Sequence, residues 1–534
     1  MRSRHLLHSD ILAEQIPIPG LAAIQTSNID WHKTLHSQPP VWYKTSHVND
    51  SLADLLSALE PIPLDPPPGT PVGAPGIREI PLAWLALTVL FTVYFFSSVD
   101  RALFGILAQP VKEELLLADW QLGFLTGFAF SLLQLTFGLF IARLADQRNR
   151  VTILSVCITL WSVMTALCGV AMNFIQLCLF RMGVGIGEAA CLPASHSLIS
   201  DYFPPGSRTK ALAIYGLGYP LGGLAGTIAA GVVLDHWGWR NTFYVVGFPG
   251  VFVALLTWRL VKEPIRGRFD TDTAAATSAT TADPQFAQPK SYSEVSRLLW
   301  RSPAVRHMII ALVSMSFATA PTATFLGPFL VRKFPISYTQ LGFIIGTTMM
   351  LGASISTIVG GIIAQRLARW DQRWLMWLPA ITVAAGMPLY VTALAQPTWL
   401  GLAIWMFFGA LTNATYLAPS YTVLYNAVPP GGRAKAAVIV QILMGVIGFS
   451  AGPLLAGAAN DVIASKLFGN PLGQSFTLEC PGGQAAKGAA AALTAACHTA
   501  VADSTQIVLI ATMVMTIWPA WHFFLSGRHL KTSR

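Results

Sequence analysis

Long uncharged runs divide this chain. Segments 120–142, 211–234, 308–331, 341–364, 436–460 and 504–527 carry no charged side chain. Each is close to the ~20 predominantly apolar residues that a helix needs to cross ~30 Å of hydrocarbon. Segment 241–258 is slightly shorter. The apolar stretch 151–199 breaks naturally at Asn173 into two helices, and 374–432 divides at Gln396 and Pro397. Segment 82–107 completes the set, although it contains Asp100 and Arg101. The pattern predicts an all-α integral membrane protein with twelve transmembrane helices, referred to below as spans one to twelve.

The halves repeat. The octet at 204–211 (PPGSRTKA) returns at 429–436 (PPGGRAKA), an offset of 225, after spans four and ten. Such a duplication predicts two six-helix halves, 81–261 and 304–527, joined by a linker at 262–303. Within that linker, 271–288 is rich in Ala and Thr, has few apolar anchors and reads as flexible. Residues 1–80 form a Pro-rich tail without a secretory apolar core, expected to be disordered and cytoplasmic. With both termini inside, the inner loops hold 21 Lys and Arg against six outside. That bias orients the chain by the positive-inside rule and leaves 464–503 as an outer loop and 528–534 as an inner tail. Insertion in the inner (plasma) membrane is expected.

Composition sharpens the picture. Of 534 residues, 53% are hydrophobic and 11% charged, whereas soluble domains carry about 25% charged residues. The net charge of +9 has no basic run or RNA-binding aromatic motif behind it, so no nucleic-acid partner is expected. No GxxxxGK[ST] loop, no oriented nucleophile and no Cys/His metal spacing occurs. The chain therefore reads as neither an enzyme nor an ATP-driven pump, with no cofactor and no metal; a monomer is expected. Cys157, Cys168, Cys178 and Cys191 lie in spans as small apolar fillers. Cys480 and Cys497 share the predicted outer loop, where a disulfide between them could persist.

Several motifs carry a resemblance. The loop after span two, ARLADQRNR at 142–150, is similar to the G-x-L-a-D-r-x-x-R signature of the major facilitator superfamily, departing at Ala142 and Gln147. Asp100 and Arg101 in span one, Trp161 and Ser162 in span three, the block RMGVGIGEAACLPASHSLISDYFP at 181–204, and Gly238-Trp239-Arg240 before span six resemble the spinster-like branch. The resemblance covers roughly 85–530. It implies the major facilitator fold, transport of small molecules by alternating access, and gating or coupling roles at these charges. Gly218 to Gly223 (GYPLGG) is similar to the antiporter element GPxxGG, with Tyr219 displacing a Gly.

Ionisable groups at bilayer depth cost at least about 2.5–3.5 kcal/mol and need a reason to be there. Outside the tail, Asp100 and Glu188 are the acids that fall inside predicted spans, and both lie in the first half. Arg181 and Glu188 share one helix face about 10 Å apart, too far to pair directly. If spans one and four face each other, as in the superfamily, Asp100 or Arg101 can complete the set. Protonation and charge pairing would then alternate during the cycle; the competing reading is a static buried network.

Asp146 and Arg150, with Arg208 and Arg433 at equivalent repeat positions, are candidates for a cytoplasmic gate, asymmetric because the second-half counterpart of the acid is Gln365. Tyr94, His196, Tyr215, Tyr219, Asn413 and Tyr416 are candidates for the substrate cavity. A proton-coupled carrier of lipid-like or amphiphilic molecules is expected; uptake of small organic anions by Arg101 and Arg181, or a non-transporting sensor on the same fold, are the alternatives.

Overall fold

The computed structural model describes residues 79–267, 269, 291–429, 432–469, 475–486 and 488–530. The predicted tail to residue 78 and the flexible 271–288 lie outside these residues, as does the side chain of Asp146. The described secondary structure is helical, and 11 of its helical runs are long and apolar enough to cross a membrane, with predicted spans five and six joined in one of them. Span one is Glu79–Leu115, span three Arg150–Cys168, span seven Pro303–Lys333 and span nine Trp374–Leu394. Helices outrun the uncharged runs because charged residues continue them beyond hydrocarbon depth.

Side-chain caps place the boundaries. Asn149, Asn173 and Thr398 each accept a backbone N–H from three residues on, starting spans three, four and ten. Ser337 forms a capping box with Gln340 to start span eight. Spans five and six run together as Gly218–Leu260, interrupted at Gly238 with φ 77°. Only glycine adopts that backbone freely, so one residue makes the turn between two spans.

Spans two, five, eight and eleven share an irregularity near mid-height. Spans two, eight and eleven contain π-helical segments, Phe128–Leu132, Gly346–Leu351 and Met444–Ala451. Span five breaks between Pro205–Gly216 and Gly218–Leu260. At the break, Ser98 of span one donates to the Tyr219 carbonyl at 2.6 Å, which is how neighbours satisfy backbone freed inside a membrane.

These irregularities separate two levels of packing. On the face away from the linker, span two packs on span eleven, span five on span eight and span one on span seven. The glycine contacts are tight: a Cβ on Gly123 would lie 2.1 Å from the Pro453 carbonyl oxygen, and one on Gly231 2.2 Å from that of Tyr338. On the linker face, the corresponding segments Leu133–Gln147, Pro205–Gly216, Gly352–Ala368 and Arg433–Leu443 make their principal contacts within their own half. The halves are thus joined on the far face and parted toward the linker. On the far face the span-eleven helix continues to Leu467 and span twelve begins at Ala491, so helix reaches into both ends of predicted loop 464–503.

Candidate substrate and coupling site

Spans one and four bring the four embedded charges together, in crossed pairs. Arg101 Nε lies 2.7 Å from Glu188 Oε2, and Arg181 Nη1 lies 3.6 Å from Asp100 Oδ2. Arg181 and Glu188 do not pair with each other; span one supplies both counter-charges. Span three adds the Thr165 hydroxyl, which donates to Asp100 Oδ1 at 2.7 Å, and Ser97 donates to Glu188 Oε2 at 3.3 Å.

Glycine explains how the helices approach. A Cβ on Gly185 would meet the Phe130 carbonyl oxygen at 2.5 Å, and one on Gly187 the Trp161 backbone nitrogen at 2.6 Å. The GxGxG run of span four is therefore a packing surface for spans two and three, and Phe130 sits in the π-helical segment of span two. Its ring lies under both guanidiniums, 5.5 Å from that of Arg101 and 5.1 Å from that of Arg181. Such cation–π contact partly replaces lost hydration.

The two pairs differ in access. Asp100, Arg181 and Glu188 are 1–2% exposed, whereas the Arg101 side chain retains 26% exposure. Glu188 Oε1 and Asp100 Oδ2 are buried and accept no hydrogen bond among the described residues. Beside Arg101 stands an aromatic group: Tyr94 stacks on Tyr215 at 4.7 Å and meets Tyr219 at 5.7 Å, and His196 meets Tyr215 edge-on at 5.4 Å. Tyr215 is fully buried and backs Tyr94 rather than lining open space. Tyr219 and His196 are exposed.

In the second half, Asn413 ends the helix Trp399–Asn413 as Glu188 ends Phe174–Glu188. Its amide donates to the Tyr390 hydroxyl at 3.4 Å, and the broken backbone after it is satisfied by Ser356, which accepts from Ala414 N at 3.1 Å. Tyr416 packs against Phe523 at 5.7 Å.

Of the gate candidates, Arg150, Arg208 and Arg433 make contacts within their own halves. Arg150 bonds Asp201 at 2.5 Å, Glu263 at 2.7 Å and the Ser197 hydroxyl at 2.7 Å. These contacts brace the ends of spans three, four and six within one half. Arg208 donates to the Ser200 carbonyl at 2.8 Å and Arg433 to the Tyr425 carbonyl at 3.2 Å. Both arginines thus reach back eight residues to the end of the preceding span.

Closure lies on the far face, in residues that sequence reasoning had left in loops. Asp461 accepts from the backbone N–H groups of Asp119 and Trp120 at 3.0 and 2.9 Å, capping span two from span eleven. Asp235 does the same for span eight from span five, accepting from Tyr338 and Thr339 at 3.0 and 2.7 Å. Asp119 also joins Lys112 at 2.6 Å and Arg332 at 3.0 Å, an ion network buried between the halves. The signal was present: Asp235 and Asp461 stand 226 apart, almost the repeat offset. Beyond span eleven, Cys480 and Cys497 form a disulfide. Among the described residues no His, Cys, Asp and Glu group has metal-binding geometry.

Comparison with known proteins agrees with this architecture. The family model of the Major Facilitator Superfamily matches residues 90–453. A protein of Mycolicibacterium smegmatis named MFS-type efflux pump is 30% identical over 396 residues, 74% of this chain and 89% of its own length. The cis,cis-muconate transport protein of Acinetobacter baylyi is 27% identical over 361 residues, 65% of this chain and 82% of that protein. The crystal structure of a bacterial homologue of the human lysosomal transporter Spinster, inward-facing and unoccupied, matches with a TM-score of 0.74 at 28% identity, over 84% of this chain and 98% of the other. The chain belongs to the Major Facilitator Superfamily, where its relatives include Spinster-like transporters.

Proposed function

We propose that this protein is a secondary active transporter that carries an amphiphilic, anionic molecule across the cell's inner membrane by alternating access, coupled to protons through Glu188. The observation that carries the reading is the buried ion pair between Arg101 and Glu188, in which the arginine is still partly open and the carboxylate is not. A substrate anion that takes Arg101 leaves Glu188 buried without its cation, with the Ser97 hydroxyl as its hydrogen-bond donor. A buried, unpaired carboxylate is costly, so the site gains from placing a proton on Glu188, whose Oε1 has no hydrogen bond to lose. Anion binding and protonation are then linked, and linkage is reciprocal. Arg181 stays with Asp100 and holds span four against span one.

The positive-inside bias of the loop charges supports a cytoplasmic linker face, and on that reading the open state is inward-facing. Tyr94 and Tyr219 beside Arg101 offer apolar rings to the body of the substrate, and the second half offers neutral Asn413 and Tyr416 rather than charge. That contrast favours an amphiphile, with charge at one end, over a small dicarboxylate. The alternative, uptake of small organic anions, draws on the openness of Arg101 and on the likeness to the muconate transport protein.

Proteoliposomes separate the two. With an imposed pH gradient, palmitoyl lysophosphatidylglycerol should accumulate and cis,cis-muconate should not. The reverse result selects the small-anion reading, and no gradient-dependent movement of either contradicts proton-coupled transport of both classes.

A further inference from the structure

A second site lies away from the central charges, on the outer surface of the second half. A cavity of about 730 Å³ opens between spans seven, eleven and twelve, within the roughly 300–1,000 Å³ typical of ligand sites. Its walls are apolar: Ile310, Val313 and Phe317 of span seven, Ile447 of span eleven, and Val514 and Trp518 of span twelve. Ser314 is its hydroxyl-bearing residue, and that hydroxyl donates to the Ile310 carbonyl of its own helix at 2.6 Å. Apart from the indole N–H groups of Trp300 and Trp518, the lining is almost wholly carbon. Both flanking helices depart from α geometry here, span eleven in its π-helical segment Met444–Ala451 and span twelve between Ala491–Val514 and Ile517–Arg528.

Depth and charge say what fills it. Residues 310–317 lie seven to fourteen residues beyond Pro303, about 10–21 Å at ~1.5 Å per residue, so the groove spans the hydrocarbon of the linker-side leaflet. The helix Tyr292–Arg301 borders the groove, burying Val295 and Leu299 and exposing Arg297 and Arg301. Trp300 of this helix lines the groove. The acid of this helix, Glu294, is engaged in the capping box with Ser291. Arg306 and Arg528 are exposed at the adjoining ends of spans seven and twelve, which the Ser526 hydroxyl ties together by donating to the Ala304 carbonyl at 2.7 Å. An amphipathic helix with basic residues and an interfacial Trp is suited to an anionic leaflet.

We propose that an anionic phospholipid of the linker-side leaflet is bound here, one acyl chain in the groove and the headgroup on Arg297, Arg301 and Arg306. The site is separate from the transport reading and stands whichever substrate is carried.

The test uses the full chain, reconstituted with equal phosphatidylglycerol and phosphatidylcholine and then extracted for native mass spectrometry. Wild type should retain phosphatidylglycerol over phosphatidylcholine by roughly fivefold or more, as expected for several arginines at a lipid headgroup. Arg297→Gln, Arg301→Gln and Arg306→Gln together should abolish the preference while leaving lipid retention in place. Val313→Trp, which fills the groove, should lower retention of both lipids; if that variant does not fold, the arginine triple variant decides. Equal retention of the two lipids by wild type, or an unchanged preference in the triple variant, overturns the proposal.

Discussion

The two halves place different chemistry at the same point of the repeat. The offset of 225 that aligns the loop octets carries Glu188 onto Asn413 and Arg181 onto Met406. Both Glu188 and Asn413 end a helical segment inside the membrane. Around Glu188 the first half builds crossed ion pairs; around Asn413 the second half makes a neutral hydrogen bond to Tyr390. Elsewhere the same offset preserves contacts faithfully. Arg208 and Arg433 donate to Ser200 and Tyr425, residues that are themselves 225 apart, and the Asp235 and Asp461 caps are equivalent across the far face. These two bracing contacts recur in both halves, whereas among the described residues the acids inside predicted spans belong to the first half. Bracing is needed twice in a duplicated fold, but one carboxylate is enough to bind one proton.

The comparison can be broken from the charged side first. Arg101→Ala should lower lysophosphatidylglycerol uptake by at least about tenfold, since it removes the accessible cation and strands a buried carboxylate. Arg101→Lys should restore part of the rate, because a lysine keeps the charge and loses the planar fork; full activity in the alanine variant would remove Arg101 from the site.

Asp100→Asn comes next, leaving buried Arg181 without its anion. Thermal unfolding in detergent should show a loss of about 3 kcal/mol, the usual scale for a broken buried pair. Adding Arg181→Met, which copies the second-half residue Met406, should recover most of it. No recovery would mean that the pair does more than balance charge.

The shared caps should give smaller effects. Asp461→Asn and Asp235→Asn each remove a carboxylate from a helix N-terminus, costing about 1 kcal/mol. Both should raise the labelling rate of a cysteine placed on the far face, and by similar amounts if the caps are equivalent. Asn413→Ala should have the least effect, about 1 kcal/mol or below for one neutral hydrogen bond, with an unchanged pH profile of transport.

Much of this was legible in the sequence because membrane burial imposes simple rules. Uncharged runs marked the spans, Asn173 and Gln396-Pro397 marked breaks later found with side-chain caps, and the scarcity of embedded charge singled out Asp100, Arg101, Arg181 and Glu188. Partner choice was not legible, since helical spacing fixes a face but not which side chain of a neighbouring helix meets it. Sequence leaves open whether Asp100 or Arg101 completes the set, and the structure pairs Arg181 with Asp100 and Arg101 with Glu188. The far-face network was missed for a related reason: Lys112, Asp119 and Arg332 sit at span ends, where charges normally reach water, and are buried because two halves close over them. Asp201 and Glu263 escaped notice because their importance lies in Arg150, distant in the chain.

The central claim is that one carboxylate, Glu188, ties substrate movement to protons. Glu188→Gln keeps the shape and removes the titration. In proteoliposomes, wild type and variant should both exchange labelled lysophosphatidylglycerol against unlabelled lipid at equal pH, while only wild type accumulates it when a pH gradient is imposed. Gradient-driven accumulation by Glu188→Gln at the wild-type level would contradict the account.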